Sequence, residues 1–241
     1  MDVFLEPRRW IAALATTGAP TDARFYFFTK DAVVTVLFDI DGTLIRTGGA
    51  GMTAITQTMN EMFQLESVGK VPVHGRTDQG ILTDLFAAHE LSFDEHRDAF
   101  SRRYWELLPS ALASGPGKLL PGVMDLLVRL AAEPEVELGI LTGNAQRAAE
   151  IKLEYFGLEK FFSFGGYGDC HASRNDVATL AQQAAQNTIG DAFDPSRLWV
   201  VGDTVNDVVC ARWISAKVVA VETGGSDRAT SFPSRLTACY A

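Results

Sequence analysis

The chain has 241 residues, and its 21 Lys and Arg against 30 Asp and Glu give a net charge of −9 near neutral pH. Apolar residues make up 47% of the chain and charged residues 21%, a balance that is typical of a globular protein and excludes a disordered one. The acidic balance argues against a nucleic-acid partner, which needs a clustered basic surface, and no apolar run reaches the roughly 20 residues of a membrane span.

The N-terminal stretch, residues 1–30, carries no catalytic motif, and we treat it as an extension with a short helical pattern at 10–14. Asp2 and Glu6 stand where a secretory signal would carry positive charge, so we expect no signal peptide and a cytoplasmic protein. The three cysteines lack C-x-x-C spacing, and their odd number predicts free thiols rather than a disulfide framework or a zinc site. They are Cys170, Cys210 and Cys239.

Short apolar segments rich in β-branched residues predict strands that are buried on both faces. A weaker candidate lies at 161–164, and the four clear ones are Val33–Phe38, Val136–Leu141, 198–201 and 217–221. Helical patterns separate them, one beginning after Pro121 and one running from 145 to 156 before Gly157. Strands that alternate with helices predict an α/β fold, a Rossmann-like parallel sheet with helices on both faces.

The interval between the first two strands is far longer than a parallel crossover needs. Its composition is helical, and glycines punctuate both ends. We therefore predict an inserted helical cap over residues 48–117, with a discontinuous core formed by 31–47 and 118–241. The alternative is a long decorated loop. The helical segments of the insertion are 53–63, 78–89 and 94–108.

The first strand runs into the sequence Phe-Asp-Ile-Asp-Gly-Thr-Leu, which places Asp39 at the strand end and Asp41 just beyond it. Ligands of open parallel sheets bind beyond the carboxyl ends of the strands. Residues two apart on an extended backbone face the same side, so these two carboxylates should converge. Taken alone, the pattern also fits an Asp-rich turn or half of a calcium loop.

A second acidic pair follows another buried strand, with Asp203 at its end and Asp207 four residues later. We expect this pair to meet Asp39 and Asp41 in one cleft at the same edge of the sheet. Four carboxylates in a semi-buried site cannot all ionise without compensation. A hard divalent cation with oxygen ligands supplies that compensation, and Mg²⁺ is the one we expect.

The third element is the sequence Thr142-Gly143-Asn144, between a strand and a helix. A hydroxyl and backbone N–H groups at a helix N-terminus form an anion site, although Thr142 alone fits a simple N-cap equally well. Two cations are candidates for binding phosphate. Arg174 precedes a helix, whereas Lys152 lies roughly 12 Å along its helix from Asn144, which makes its reach marginal. Each could instead be a surface residue.

Within the insertion, the segment 73–78 ends in Asp78, a plausible helix N-cap. Gly75 allows close approach to a ligand, so His74 and Arg76 are candidates to read the non-reacting half of a substrate when the cap closes. The alternative is a capping turn with an exposed arginine.

In this order and spacing, the motifs resemble those of the haloacid dehalogenase-like (HAD) hydrolase superfamily, over residues 33 to about 225. Residues 39–44 match the signature D-x-D-G-T-L, Thr142 matches the second motif, and 202–207 match the acidic fourth motif. The third motif, normally Lys-Pro, is replaced by Arg174 and Asn175. The insertion resembles the helical cap of the phosphoglycolate phosphatase and β-phosphoglucomutase branch.

The resemblance implies roles for the candidate residues. Asp39 would attack phosphorus and carry an aspartyl-phosphate, and Asp41 would protonate the leaving oxygen and then accept a proton from water. Mg²⁺ would bind Asp39, the Asp41 carbonyl and Asp203, with support from Asp207. Thr142 and one of the two cations would bind phosphoryl oxygens. The second aspartate argues against a true dehalogenase, which lacks it.

Together these features predict a magnesium-dependent phosphatase that hydrolyses a small phosphomonoester, either phosphoglycolate-like or a sugar phosphate. The first alternative is a phosphomutase of the β-phosphoglucomutase type. The second, from another class, is a non-catalytic phosphate-binding module. We expect a monomer or homodimer whose partner is a small phosphorylated metabolite, with no nucleic acid and no membrane.

Overall fold

A computed structural model of the chain describes residues 32–65 and 67–221. The short helical pattern at 10–14 and Cys239 lie outside the described residues. The strands are β1 Val33–Phe38, β2 Ile45–Arg46, β3 Lys118–Leu119, β4 Val136–Leu141, β5 Phe164–Gly166, β6 Phe193–Gly202 and β7 Lys217–Ala220. The helices are α1 Ala50–Phe63, α2 Asp78–Ala87, α3 Phe93–Ser114, α4 Val123–Ala131, α5 Gln146–Phe156, α6 Arg174–Ile189 and α7 Val205–Trp213.

A five-stranded parallel sheet forms the centre of the fold, in the order β5-β4-β1-β6-β7. Strand β1 is central because its side chains are apolar on both faces. Phe38 packs with α4 on one side, and Leu37 packs with α6 on the other. The predicted fold class, a Rossmann-like parallel sheet covered by helices, is confirmed. Strands β2 and β3 form a separate antiparallel pair at the base of the insertion.

The fifth strand differs from its prediction at 161–164. Residues Glu159–Phe161 form a 3₁₀ turn, and the strand begins only at Phe164. Its two glycines have low strand propensity, which hides it in the sequence. Gly166 is needed because α6 packs on its bare backbone: a Cβ there would lie 2.4 Å from the Val177 carbonyl oxygen.

Helices α1, α2 and α3 lie in the predicted insertion and pack around an apolar cluster that includes Met59, Leu85, Phe86, Phe100 and Leu108, and that also takes in Ala145, Ala148 and Ile151 at the start of α5. The interval is therefore helical and not a decorated loop. The exact boundaries 48 and 117 stay a prediction. None of the helices in the described residues combines the length and apolar character that crossing a bilayer requires. Within the same residues, Cys170 and Cys210 are free thiols, as expected.

Candidate active site

Three neighbouring strands end at the site. β4, β1 and β6 lie side by side, and the residues that directly follow them are Thr142, Asp39 and Asp203. The Asp39 N–H donates to the Val201 carbonyl at 2.9 Å, which continues the pairing of β1 with β6 up to the site. Residues that are 61 to 164 positions apart in sequence therefore meet at one edge of the sheet, where α/β folds bind ligands.

Three buried carboxylates form an acidic group at this edge. One oxygen each from Asp39, Asp203 and Asp207 lies within 4.8 Å of the others. The turn after β1 brings the chain directly against Asp203. A Cβ at Gly42, whose φ is +90°, would lie 2.5 Å from Asp203 Oδ2, and Thr43 Oγ1 donates to Asp203 Oδ1 at 3.1 Å. Only glycine fits at position 42 without moving the carboxylate.

The negative charges of the three carboxylates in this group repel one another. Burial, followed by the neighbouring Asp207, raises the pKa of Asp39 to about 8, even though Arg174 acts in the opposite direction. Burial and Asp207 likewise raise the pKa of Asp203 to about 6. Three carboxyl groups this close together cannot all ionise easily unless a positive charge lies between them. Their oxygens are therefore a donor set suited to a divalent cation. The acidic group can therefore hold a metal ion.

Asp41 is not a member of the acidic group, although its carboxylate lies close enough to raise the pKa of both Asp39 and Asp203. Asp41 Oδ2 accepts hydrogen bonds from Lys152 Nζ at 2.6 Å and from Asn144 Nδ2 at 2.8 Å. Partial burial raises the pKa of Asp41, but Lys152 and the hydrogen bonds lower it by more, so the net pKa lies below the ordinary value.

Lys152 reaches the site, so the expectation of marginal reach was wrong. Its side chain is buried, and Nζ donates to Asn144 Oδ1 at 2.6 Å as well as to Asp41. Side chains on a helix lean toward its N-terminus, which here carries the long lysine back along α5 to the strand ends. With 4% exposure, Lys152 is not a surface residue.

Arg174 is the second buried cation of the site, with 8% exposure. It is the first residue of α6, and its guanidinium bonds to Asp207 and lies 3.5 Å from Asp39 Oδ1. Its Nε is buried with no hydrogen-bond partner among the described residues. Asp207 also accepts from the Thr204 N–H and hydroxyl, which fixes it at the start of α7. The two candidate cations thus serve different carboxylates.

Thr142 and Asn144 link the two halves of the site. Thr142 is fully buried, and its Oγ1 accepts from the backbone N–H and the Nδ2 of Asn144. The alternative that Thr142 caps the following helix does not hold, because the N-cap of α5 is Ala145. The hydroxyl instead faces the residues that surround Asp41.

The insertion closes directly on this loop. The Asp78 N–H donates to the Gly143 carbonyl at 2.7 Å, and Asp78 Oδ2 accepts from the Ala145 N–H at 2.8 Å. A Cβ at Gly143 would lie 2.0 Å from the Arg76 carbonyl oxygen. Asp78 therefore caps the core helix α5 and not its own helix α2, whose N-cap is Thr77. This corrects the sequence prediction of Asp78 as N-cap.

The two predicted specificity residues of the cap are placed differently. Arg76 forms an ion pair with Asp84 at 2.7 Å and donates to the carbonyls of Pro72 and Gly80. All of these partners belong to the insertion, so the guanidinium is held on the cap. His74 is exposed beside Gly75, whose carbonyl accepts from Asn206 Nδ2 at 2.7 Å. A role in reading substrate stays a prediction for both.

A sequence model of the family described as haloacid dehalogenase-like hydrolase matches residues 33–214. The chain belongs to this family. The predicted enzyme class, a HAD-like hydrolase, is confirmed with it.

Two curated relatives and one solved structure illustrate the match. The hydrolase is 34% identical over 111 residues to a phosphoglycolate phosphatase of Synechococcus elongatus, an alignment that spans 46% of this chain and 49% of that protein. It is 29% identical to an N-acetylmuramic acid 6-phosphate phosphatase of Pseudomonas aeruginosa, over 78% and 81% of the two chains. A haloacid dehalogenase-like family protein from Streptococcus pneumoniae shares the fold, with a TM-score of 0.56, 24% identity and coverage of 82% and 88%.

Sequence reasoning missed several residues of the site. Thr43 and Thr47 donate to Asp203 and Asp41. Thr43 was inside the D-x-D-G-T-L signature and could have been found there. Asp78 and Tyr104 come from the cap, and their place beside the core depends on how the cap docks, which no local pattern encodes. Tyr104 is 2% exposed, and the Asp78 and Asp41 carboxylates, after burial, raise the pKa of its hydroxyl.

Proposed function

We propose that this hydrolase is a magnesium-dependent phosphatase that acts on a small phosphomonoester through an aspartyl-phosphate at Asp39. The observation that carries the proposal is the setting of Asp39, which belongs to the acidic group and whose Oδ1 lies 3.5 Å from the buried guanidinium of Arg174. A carboxylate in that setting has the charge and the neighbours of a nucleophile that attacks phosphorus.

The phosphoryl group would rest between Arg174 and the loop after β4. The buried, unpartnered Nε of Arg174 is a donor without an acceptor, and leaving it so costs free energy that a phosphoryl oxygen would recover. The Thr142 hydroxyl is a second candidate donor, and backbone N–H groups of the Gly143 loop are further ones. Both cation candidates thus keep a role: Arg174 beside the nucleophile, and Lys152 beside Asp41.

Asp41 is the proposed acid and base. It lies two residues after the nucleophile, and its carboxylate, 38% exposed, opens toward the space that a leaving group needs. Lys152 favours its ionised form in the structure described here. A dianionic phosphoryl group beside Asp41 opposes that charge and favours the protonated acid, which then protonates the leaving oxygen. The ionised form accepts the proton of the attacking water in the second step.

Asp39 and Asp203 fit a magnesium ion, with Asp207 supporting them from the Arg174 side. When bound, Mg²⁺ neutralises phosphoryl charge and so lowers the repulsion between substrate and carboxylates. The side chains contribute oxygen donors only, which is the ligand type that Mg²⁺ prefers.

The raised pKa values of Asp39 and Asp203, about 8 and about 6 against an ordinary 3.8, predict how stability depends on pH. Because the folded metal-free protein binds these protons more tightly than the unfolded chain, its free energy of unfolding should fall as pH rises from about 4 to about 8. Mg²⁺ binds the ionised form, so it should raise Tm more at about pH 8.5 than at about pH 5.5. Calorimetry at both pH values tests this; an equal Mg²⁺ effect would contradict it.

Replacing Lys152 with Met should raise the pKa of Asp41, because burial then acts without the opposing ammonium. We expect kcat/KM to fall about tenfold and the basic limb of its pH profile to move upward. Lys152→Arg keeps the positive charge, so it should return the basic limb of the profile part of the way to its position in the parent. Lys160→Met, an exposed control, should change neither kcat/KM nor the pH profile. An unchanged pH profile in Lys152→Met would remove Lys152 from this role.

The proposed function is tested by measuring phosphate release from a panel of small phosphate esters, with Mg²⁺ and with EDTA. Magnesium-dependent release of inorganic phosphate is the expected result. Conversion of one sugar phosphate to its isomer without phosphate release would support the phosphomutase alternative. Folded protein that turns over no ester would instead support a non-catalytic phosphate-binding module.

A further inference from the structure

Two cap residues that lie near the proposed acid, Tyr104 and Asp78, carry no positive charge. Tyr104, on α3, points its hydroxyl at the space between the cap and α5: a Cβ placed on Gly51 would lie 3.7 Å from that hydroxyl and 3.9 Å from Lys152 Nζ. No hydrogen-bond partner of the hydroxyl is found in residues 32–65 and 67–221. Asp78 lies close enough to influence both Tyr104 and Lys152 electrostatically. A hydroxyl that borders this space without a hydrogen-bond partner can bond to a polar group of a ligand.

The positive charges of the cap are engaged or exposed elsewhere. Arg102 is exposed and lines a groove with Asp98, Trp105 and Asp78 that does not include Tyr104, and Lys70 is exposed. Lys152, which belongs to the core, is already paired with Asp41. Across the described part of the cap, no guanidinium or ammonium is therefore placed beside Tyr104 to neutralise a second anionic group. The remaining cap arginines are held by other residues: Arg76 by Asp84, Arg97 by Gln79 and the Asp169 carbonyl, and Arg103 by Glu61 and Glu106.

We propose that the leaving group of the substrate is a neutral, hydroxyl-bearing alcohol, of the polyol or sugar type, and not a carboxylate-bearing one. This inference rests on the proposed function. A hydroxyl on the leaving group can form a hydrogen bond with the Tyr104 hydroxyl. Because it is neutral, the charges of Asp78 and Asp41 do not repel it. A carboxylate at the same place would face Asp78 and Asp41, and juxtaposed like charges are strongly unfavourable. The hydrolase would in this respect differ from its relative named phosphoglycolate phosphatase.

Three esters of equal chain length separate charge from hydrogen bonding: 2-hydroxyethyl phosphate, ethyl phosphate and 2-phosphoglycolate. With Mg²⁺, we expect kcat/KM to be about tenfold higher for hydroxyethyl than for ethyl phosphate, the worth of one good hydrogen bond. Phosphoglycolate should lie about tenfold or more below ethyl phosphate. Phosphoglycolate as the best of the three would overturn the inference and leave the phosphatase proposal standing. No turnover of these or any other phosphomonoester would overturn both.

Two variants test the residues involved. Tyr104→Phe should lower kcat/KM for hydroxyethyl phosphate about tenfold and leave ethyl phosphate unchanged. Asp78→Asn keeps an oxygen for the Ala145 N–H and removes the charge, so it should raise the ratio of phosphoglycolate to ethyl phosphate turnover. Loss of activity on all three esters alike in Tyr104→Phe, with an unchanged near-UV circular dichroism spectrum, would contradict the specificity role.

Discussion

Replacing Asp39 with Asn should abolish phosphatase turnover, lowering kcat by about 10,000-fold. The amide keeps the shape of the side chain but cannot attack phosphorus, and it also removes one oxygen from the acidic group. Because burial and Asp207 oppose the charge of Asp39 in the metal-free protein, the variant should be at least as stable as its parent without Mg²⁺. Phosphate release and thermal unfolding measure the two effects.

The matched control is Asp125→Asn, the same chemical change on the exposed face of α4. It should alter neither turnover nor the Mg²⁺ dependence of Tm. Turnover in Asp39→Asn within tenfold of the parent would exclude Asp39 as the nucleophile. If Asp39→Asn were unfolded at the assay temperature, its loss of activity would reflect lost structure and not a lost nucleophile. The thermal unfolding measurement detects that case.

The second large effect is expected at Gly143, where the cap meets the loop that follows β4. In Gly143→Ala the new Cβ would lie 2.0 Å from the Arg76 carbonyl oxygen and 3.2 Å from Arg174 Nη1. The Arg76 carbonyl belongs to the backbone and cannot move without displacing the chain around it. The cap must therefore shift outward, and the loop after β4 must move. Displacements of about 1 Å at a catalytic centre cost about 100-fold, and we expect a loss of that size in kcat/KM.

Gly69→Ala provides the comparison for this variant. Gly69 also lies in the cap, and a Cβ there would meet nothing within 4 Å, although its φ of +77° makes the substitution mildly strained. It should cost about 1 kcal/mol of stability and no activity. Equal activity of the two alanine variants would show that the close contact between Gly143 and Arg76 is not needed for turnover.

The sequence predicted the parts of the site that local patterns encode. The strand ends at Asp39, Thr142 and Asp203 follow from apolar segments that stop at polar residues, and their meeting follows from the rule that parallel strands share a carboxyl edge. The sheet also follows from these segments, except at β5, where glycines replace the β-branched residues. Packing of α6 on the bare backbone needs Gly166, and only the tertiary structure shows it.

The other contacts of the site depend on distances between side chains, which the position of a residue in the sequence does not give. Lys152 reaches Asp41 because its side chain runs back along α5, so rise per residue alone underestimated its reach. Asp78 looked like the cap of its own helix but contacts α5, since Thr77 already serves as that cap. Tyr104 carried no signal at all, because its role arises only when the insertion packs on the core.

The most direct test of the account is to trap the covalent intermediate. In Asp41→Asn the second step lacks its base, whereas p-nitrophenyl phosphate needs no acid to leave, so phosphoenzyme should accumulate with Mg²⁺ present. After acid quenching, borohydride reduction converts an acyl phosphate of aspartate to homoserine, which peptide mass spectrometry locates. We predict substrate-dependent homoserine at position 39. Homoserine at another carboxylate, or none at all while nitrophenol release shows a full burst, would contradict Asp39 as the residue that accepts phosphorus.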